Sequence, residues 1–227
     1  MSWLRRFGTV AILATLALPL APSDAGASVS IAVSFDQLCK DADTVAVITA
    51  GEGSAVWEDG RIVTYTKVHV DQGVAGDLAA GNDAVVRTMG GVVGKIGQLV
   101  DGEPVLQKDK PSLLFLRKFK TGSFEVSARG QGQYPVVVDE KTKMRKLVRS
   151  SSAGMILPPK AQQVPASGVQ TQSVASGDSR ITMPAAMKLA HETLHDRPVD
   201  DGVKDIATAW KRLHAAPAPN TNQTTTK

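Results

Sequence analysis

Between Arg61 and Val70 the chain alternates strictly: Ile62, Thr64, Thr66, Val68 and Val70 fall on one face, Val63 and Tyr65 on the other. That two-residue period is the signature of a strand. Thr44 to Trp57 reads as a long partner strand, and Glu58-Asp59-Gly60 supplies the turn between them, with Gly60 able to take a positive φ. Further strands are expected at 83–89, 112–119, 122–128, 133–138 and 143–149. Leu113-Leu114-Phe115-Leu116 is apolar on both faces and belongs at the centre of a sheet. Asp139-Glu140-Lys141-Thr142 reads as the last hairpin turn. Many short strands at this spacing favour a barrel or a sandwich, and closing the sheet removes exposed edges. The expected fold is mainly β: a small closed or partly open antiparallel barrel with one short N-terminal helix, plus a C-terminal two-helix segment after a linker.

The segments around the strands complete this organisation. Residues 1–27 have the grammar of a cleavable secretory signal: Arg5 and Arg6, the apolar run Val10 to Leu18, helix-breaking Pro19 and Pro22, and Ala25-Gly26-Ala27 at the cleavage site. The apolar run is shorter than the roughly 20 residues of a membrane-spanning helix. The mature chain is therefore expected to begin near Ser28 and to act in the periplasm or outside the cell. A β-barrel domain is expected over 28–149, opening on a helix at 35–42 capped by Ser34. A flexible Ser/Gln/Pro/Gly/Ala linker is expected over 150–181, a helical segment over 182–214 and a disordered polar tail over 215–227. In the helical segment, Pro184 suits a first turn, Ala185 to His195 forms one helix and Pro198 ends it. Val203, Ile206, Ala207, Trp210 and Leu213 make the apolar stripe of the next. Such a helix needs the barrel, its neighbour or a partner to pack on.

Composition narrows the function classes. Setting aside Arg5, Arg6 and Asp24, the 26 basic and 22 acidic residues leave a net charge of about +3, too weak a field to imply nucleic acid. The single cysteine, Cys39, cannot form an internal disulfide. It shares a helical face with Phe35, Leu38 and Ala42 and reads as a buried small hydrophobe, the alternatives being a reactive thiol or an intermolecular bridge.

Few motifs carry chemistry. His191-Glu192-Thr193-Leu194-His195 matches H-E-x-x-H, in which two imidazoles one helical turn apart hold Zn²⁺ and the glutamate between them acts as general base. A catalytic zinc wants a third protein ligand. Only His214, Asp200, Asp201 and Asp205 follow the motif closely enough to offer one. No metal or other cofactor is expected, and zinc hydrolysis through His191, Glu192 and His195 is the enzymatic alternative. Gly90-Gly91-Val92-Val93-Gly94-Lys95 lacks phosphate-loop spacing and has Ile96 where Ser or Thr should meet Mg²⁺, so its glycines read as a sharp turn after Met89. Lys141, Lys143, Arg145, Lys146 and Arg149 form the densest basic cluster. On a strand, Lys141, Lys143 and Arg145 would share a face, suited to an anionic surface or to a lysine-protected edge.

Several of these segments also resemble a family of uncharacterised secreted bacterial proteins. The resemblance runs over residues 34–138, through Ser34 to Leu38, Ala42-Asp43, Arg61 to Thr64, Gly73 to Gly76, Gly90 to Gly94, Gly102-Glu103-Pro104, Leu113 to Leu116 and Gln131 to Tyr134. Asp109-Lys110 departs from the Gly-Glu that relatives often carry before the apolar strand. The organisation is similar to the netrin/tissue-inhibitor barrel, related to the oligonucleotide/oligosaccharide-binding fold. The disulfides and N-terminal cysteine of the metalloproteinase inhibitors are absent, so the resemblance implies fold and export, not inhibition. The expected function is a secreted, non-catalytic binding protein with a protein or glycan partner. Association with a membrane surface, through the C-terminal helices and the basic cluster, is the other alternative.

Overall fold

The computed structural model describes residues 29–159 and 188–215. The expected signal segment, Pro184, most of the expected linker and nearly all of the expected tail lie outside the described residues. In chain order the elements are β1 (Val29–Ile31), α1 (Phe35–Asp41), β2 (Thr44–Glu58), β3 (Arg61–Ala75), β4 (Asp83–Met89), β5 (Gly91–Val93), β6 (Ile96–Gln98), β7 (Pro111–Lys118), β8 (Phe124–Val126), β9 (Gln133–Val138), β10 (Arg145–Leu147), β11 (Met155–Leu157), α2 (Ala190–Leu194) and α3 (Val199–His214).

The fold is mainly β, and its main sheet closes on itself. Strands pair in the ring β2-β3-β4-β8-β7 and back to β2, with β9 and β10 continuing from β7 as an extension. All pairs in the ring are antiparallel except β4–β8. The β2–β3 hairpin turns through Asp59 and Gly60, both at positive φ, as a two-residue turn that matches strand twist requires. Register shifts at Val45/Ala46, Val47/Ile48 and Ala50/Gly53 bend β2 into the barrel wall. Gly91 has φ +137, and a Cβ there would run into the Thr64 hydroxyl. The chain can therefore turn sharply after Met89 only with glycine.

Alternation explains the two cores. On β2 and β7, Ala46, Ile48, Leu114 and Leu116 point into the barrel and meet Val68, Val70, Val86 and Val126. Their neighbours Val45, Val47, Leu113 and Phe115 point outward and are covered by Leu38 and Cys39 of α1, Leu194 of α2 and Ile206 of α3. The central strand is apolar on both faces because each face meets a different core.

Ser34 caps α1 by accepting from Gln37 N–H at 3.1 Å. The C-terminal helices dock on the barrel rather than forming a separate unit. Trp210 Nε1 donates to Ala42 O at 3.0 Å, Arg212 pairs with Asp36 at 2.8 Å, and Val199, Ile206 and Ala209 are buried. The docked face of α3 runs through Gly202 and Ala209 rather than Ala207, because the helix approaches closely: a Cβ at Gly202 would lie 2.7 Å from Leu147 Cδ1.

Three expectations change. First, the segment after residue 149 begins as structure, not linker: β11 pairs in parallel with β1, and Gln131 ties β1 to the barrel by accepting from Val33 N–H and donating to Ile31 O. Second, the helix expected over Ala185 to His195 is described from residue 188 and covers only Ala190–Leu194. Leu189 bridges Ser34, and Asp196 turns at φ +59 so that Asp196 N–H and Arg197 O pair with Leu147. Third, the strand at 143–149 shrinks to Arg145–Leu147 because Lys143 has φ +57 and Lys141 lies in the turn. The basic cluster does not share one strand face. The edge of β10 is covered by residues 196–198 rather than guarded by lysines alone.

Candidate functional site

The densest polar constellation among the described residues lies on the outside of the barrel. Val86 and Thr88 of β4 are buried beneath the sheet, so Arg87 between them faces out. Register then aligns it: Tyr65 of β3 opposes Arg87, Arg87 opposes Glu125 of β8, and Glu125 opposes Arg117 of β7. A ladder of four side chains thus crosses four strands. Arg87 donates to Glu125 at 2.6 Å, and Arg117 donates to the other oxygen of the same carboxylate at 3.0 Å. Glu58, at the hairpin tip, folds back to accept from Arg87 at 2.8 Å and from the Tyr65 hydroxyl at 2.6 Å. Phe119, just after β7, stacks on the guanidinium, 4.7 Å from Cζ to ring centroid.

This wiring fixes charge. The hydrogen bonds from Tyr65 and Arg87 hold the Glu58 carboxyl below its usual range, and Glu58 in turn raises the Tyr65 phenol. Burial alone would weaken the charge on Arg87, but Glu58, Tyr65 and Glu125 outweigh it and hold its pKa above the ordinary value. The Arg87 side chain is 12% exposed, and its Nε is buried without a hydrogen-bond partner. Beside the ladder, Glu103 accepts from Met89 N–H at 3.1 Å and pairs with Arg129 at 3.3 Å. Chemically this is a rigid pattern of donors, acceptors and aromatic surface.

The residues of the H-E-x-x-H match lie elsewhere, in the helical cap. His191 is on α2, with Nδ1 buried and without a hydrogen-bond partner, and Glu192 is exposed. His195 has left the helix into extended backbone, where its Nδ1 accepts from Arg149 N–H at 3.2 Å and its Nε2 lies 3.5 Å from Asp196. The two imidazoles are therefore not presented from consecutive turns of one helix. Among the described residues no group of three His, Cys, Asp or Glu side chains is placed to hold a metal. Cys39 is fully buried, and desolvation pushes its thiol up to about 12.

Sequence reading missed the ladder because its members come from four segments and become neighbours only through register. The available signal was Tyr65 and Arg87 on two expected strands, each flanked by residues of the opposite face. His69 likewise gains Asp83 as a neighbour at 2.9 Å across β3–β4, on an exposed surface where Thr49 donates to Asp71 at 2.8 Å. No helix among the described residues is long and apolar enough to cross a membrane. Comparison with protein-family models, with curated proteins and with solved structures finds no match to this chain.

Proposed function

We propose that this chain is a secreted, non-catalytic binding module of the bacterial envelope or exterior, and that its partner docks on the barrel face centred on Tyr65, Arg87 and Phe119. The observation that carries the reading is the cross-strand ladder itself. Four side chains from four strands are locked by ion pairs and, for Tyr65, a hydrogen bond to Glu58 on an outer surface, an arrangement suited to presenting fixed donors and acceptors to a ligand.

The ring order supports assigning the barrel to the oligonucleotide/oligosaccharide-binding type. Such five-stranded Greek-key barrels bind along their second and third strands and the loops after the first and fourth. Here the second and third ring strands carry Tyr65 and Arg87, the first loop follows Glu58, and the fourth loop begins at Phe119. With an export signal and a weak net charge, an oligosaccharide or a protein is the favoured partner over nucleic acid. The netrin/tissue-inhibitor likeness proposed for residues 34–138 agrees with helices packed at both chain ends of the barrel.

The test is capture of glycans and envelope proteins by the mature protein, compared with its Tyr65→Ala, Phe119→Ala and Arg117→Glu variants. A partner retained by the wild type and weakened at least tenfold by these changes supports the reading. A partner held equally by all of them, or one that the wild type cleaves, defeats it.

A further inference from the structure

Next to the ladder is a cavity of about 200 Å³ lined by Arg61, Arg87, Arg117, Arg129, Glu103 and Glu125. Four guanidinium groups thus face two carboxylates around one small space. The carboxylates are already used. Glu125 holds Arg87 and Arg117, and Glu103 holds Arg129 and Met89 N–H. The guanidinium groups are not saturated. Each carries five N–H donors, yet Arg117 and Arg129 each spend one nitrogen on a single carboxylate, and Arg61 makes no ion pair among the described residues. Arg87 already serves Glu125 and Glu58 through its terminal nitrogens, and its Nε–H is buried without an acceptor.

We infer that this cavity receives one tetrahedral oxyanion, the sulfate or phosphate ester of an acidic saccharide. The inference rests on the binding-face reading above and names the chemical group recognised there. With Glu58 also holding Arg87 from outside the cavity, four guanidinium groups answer three carboxylates; the one remaining positive charge calls for an anion, and guanidinium forks match oxyanions bidentately. The forks arrive from separate elements: Arg61 opens β3, Arg117 lies on β7, and Arg129 follows β8. Forks from several directions can each take a different pair of oxygens on a tetrahedral anion, whereas a planar carboxylate offers one pair. The cavity lining is dominated by charged groups and includes no aromatic side chain, so the saccharide itself would lie outward, over Tyr65 and Phe119.

Calorimetric titration of the mature protein with inorganic sulfate, inorganic phosphate, a sulfated oligosaccharide and its desulfated counterpart, at constant ionic strength, tests this. Saturable one-to-one binding of sulfate or phosphate is expected, weakened at least tenfold in Arg61→Gln and Arg117→Gln. The sulfated oligosaccharide should bind more tightly than the free ion, and its desulfated counterpart at least tenfold less tightly than the sulfated one. Arg61 has no ionic partner among the described residues to lose, so its variant should keep the wild-type melting temperature without anion. Absence of saturable oxyanion binding, wild-type affinity in both variants, or equal affinity for the two oligosaccharides overturns the inference. If a partner is still captured through Tyr65 and Phe119 in those cases, the binding-face reading survives alone. If oxyanions bind but no partner depends on Tyr65 or Phe119, that reading fails while the anion site stands.

Discussion

Burial and hydrogen bonding set individual side chains apart from their usual chemistry. The Cys39 thiol, raised to about 12 mainly by desolvation, stays protonated at neutral pH. It should resist iodoacetamide in the native state and react at the rate of an ordinary thiol once the chain is unfolded. Rapid native labelling would contradict its position in the core. The chain has two tyrosines, and both phenols are displaced upward, Tyr65 by its bond to Glu58 and Tyr134 mainly by burial against Phe115. Spectrophotometric titration should therefore show no tyrosine ionising in the ordinary range near pH 10 until the fold is lost. Glu58→Gln should bring one of the two back toward that range.

Among the elements, α3 is held by packing rather than by propensity. Its stripe supplies Val199, Ile206 and Ala209 to the core shared with α1 and the outer face of β2 and β7. Ile206 is fully buried, so Ile206→Ala should cost about 2–5 kcal/mol in chemical denaturation. Gly202→Leu should also destabilise, because there is no room beside Leu147. A loss below about 0.5 kcal/mol for Ile206→Ala, the size of an ordinary surface change, would mean that the helix does not dock as described. The five-residue α2 ends before His195. Metal analysis of the purified protein should accordingly find no stoichiometric zinc dependent on His191, and a chelator should leave the melting temperature unchanged. Stoichiometric zinc lost in His191→Ala would reverse that expectation.

For the molecule as a whole, the seam that closes the barrel is its narrowest junction. β4 and β8 align only Val86 with Phe124 and Arg87 with Glu125, whereas β2 and β3 pair along almost their full lengths. The ladder braces that seam, so acid should loosen it. The Glu58 and Asp139 carboxyls lie below their ordinary range in the folded chain, Glu58 through Tyr65 and Arg87, Asp139 through Lys146 and Thr142. Groups with depressed folded pKa values bind protons more readily when unfolded. Their contribution is thus complete above about pH 4–5, where the unfolded carboxyls are ionised, and is lost as pH falls toward the folded values. Denaturant midpoints should fall through that acid window, and the Glu58→Gln variant should fall less steeply. An unchanged slope in that variant would remove Glu58 from the account.

Short stretches of chain are enough to specify the local frame: the β2–β3 hairpin, the capped helix at Phe35, the two-faced central strand and the apolar stripe of the last helix. Each is written in short-range periodicity, cap chemistry or turn residues, which act within a few positions of the chain. Long-range contact sets the rest: where the ring closes, the return of Met155–Leu157 to pair with the N-terminal strand, the departure of His195 from its helix beside the β10 edge, and the single row of Tyr65, Arg87, Glu125 and Arg117. Those outcomes depend on strand register and on contacts between segments far apart in sequence. A shift of one residue would turn each of these side chains to the opposite face, so nothing local to Tyr65 or Arg87 could reveal that they meet.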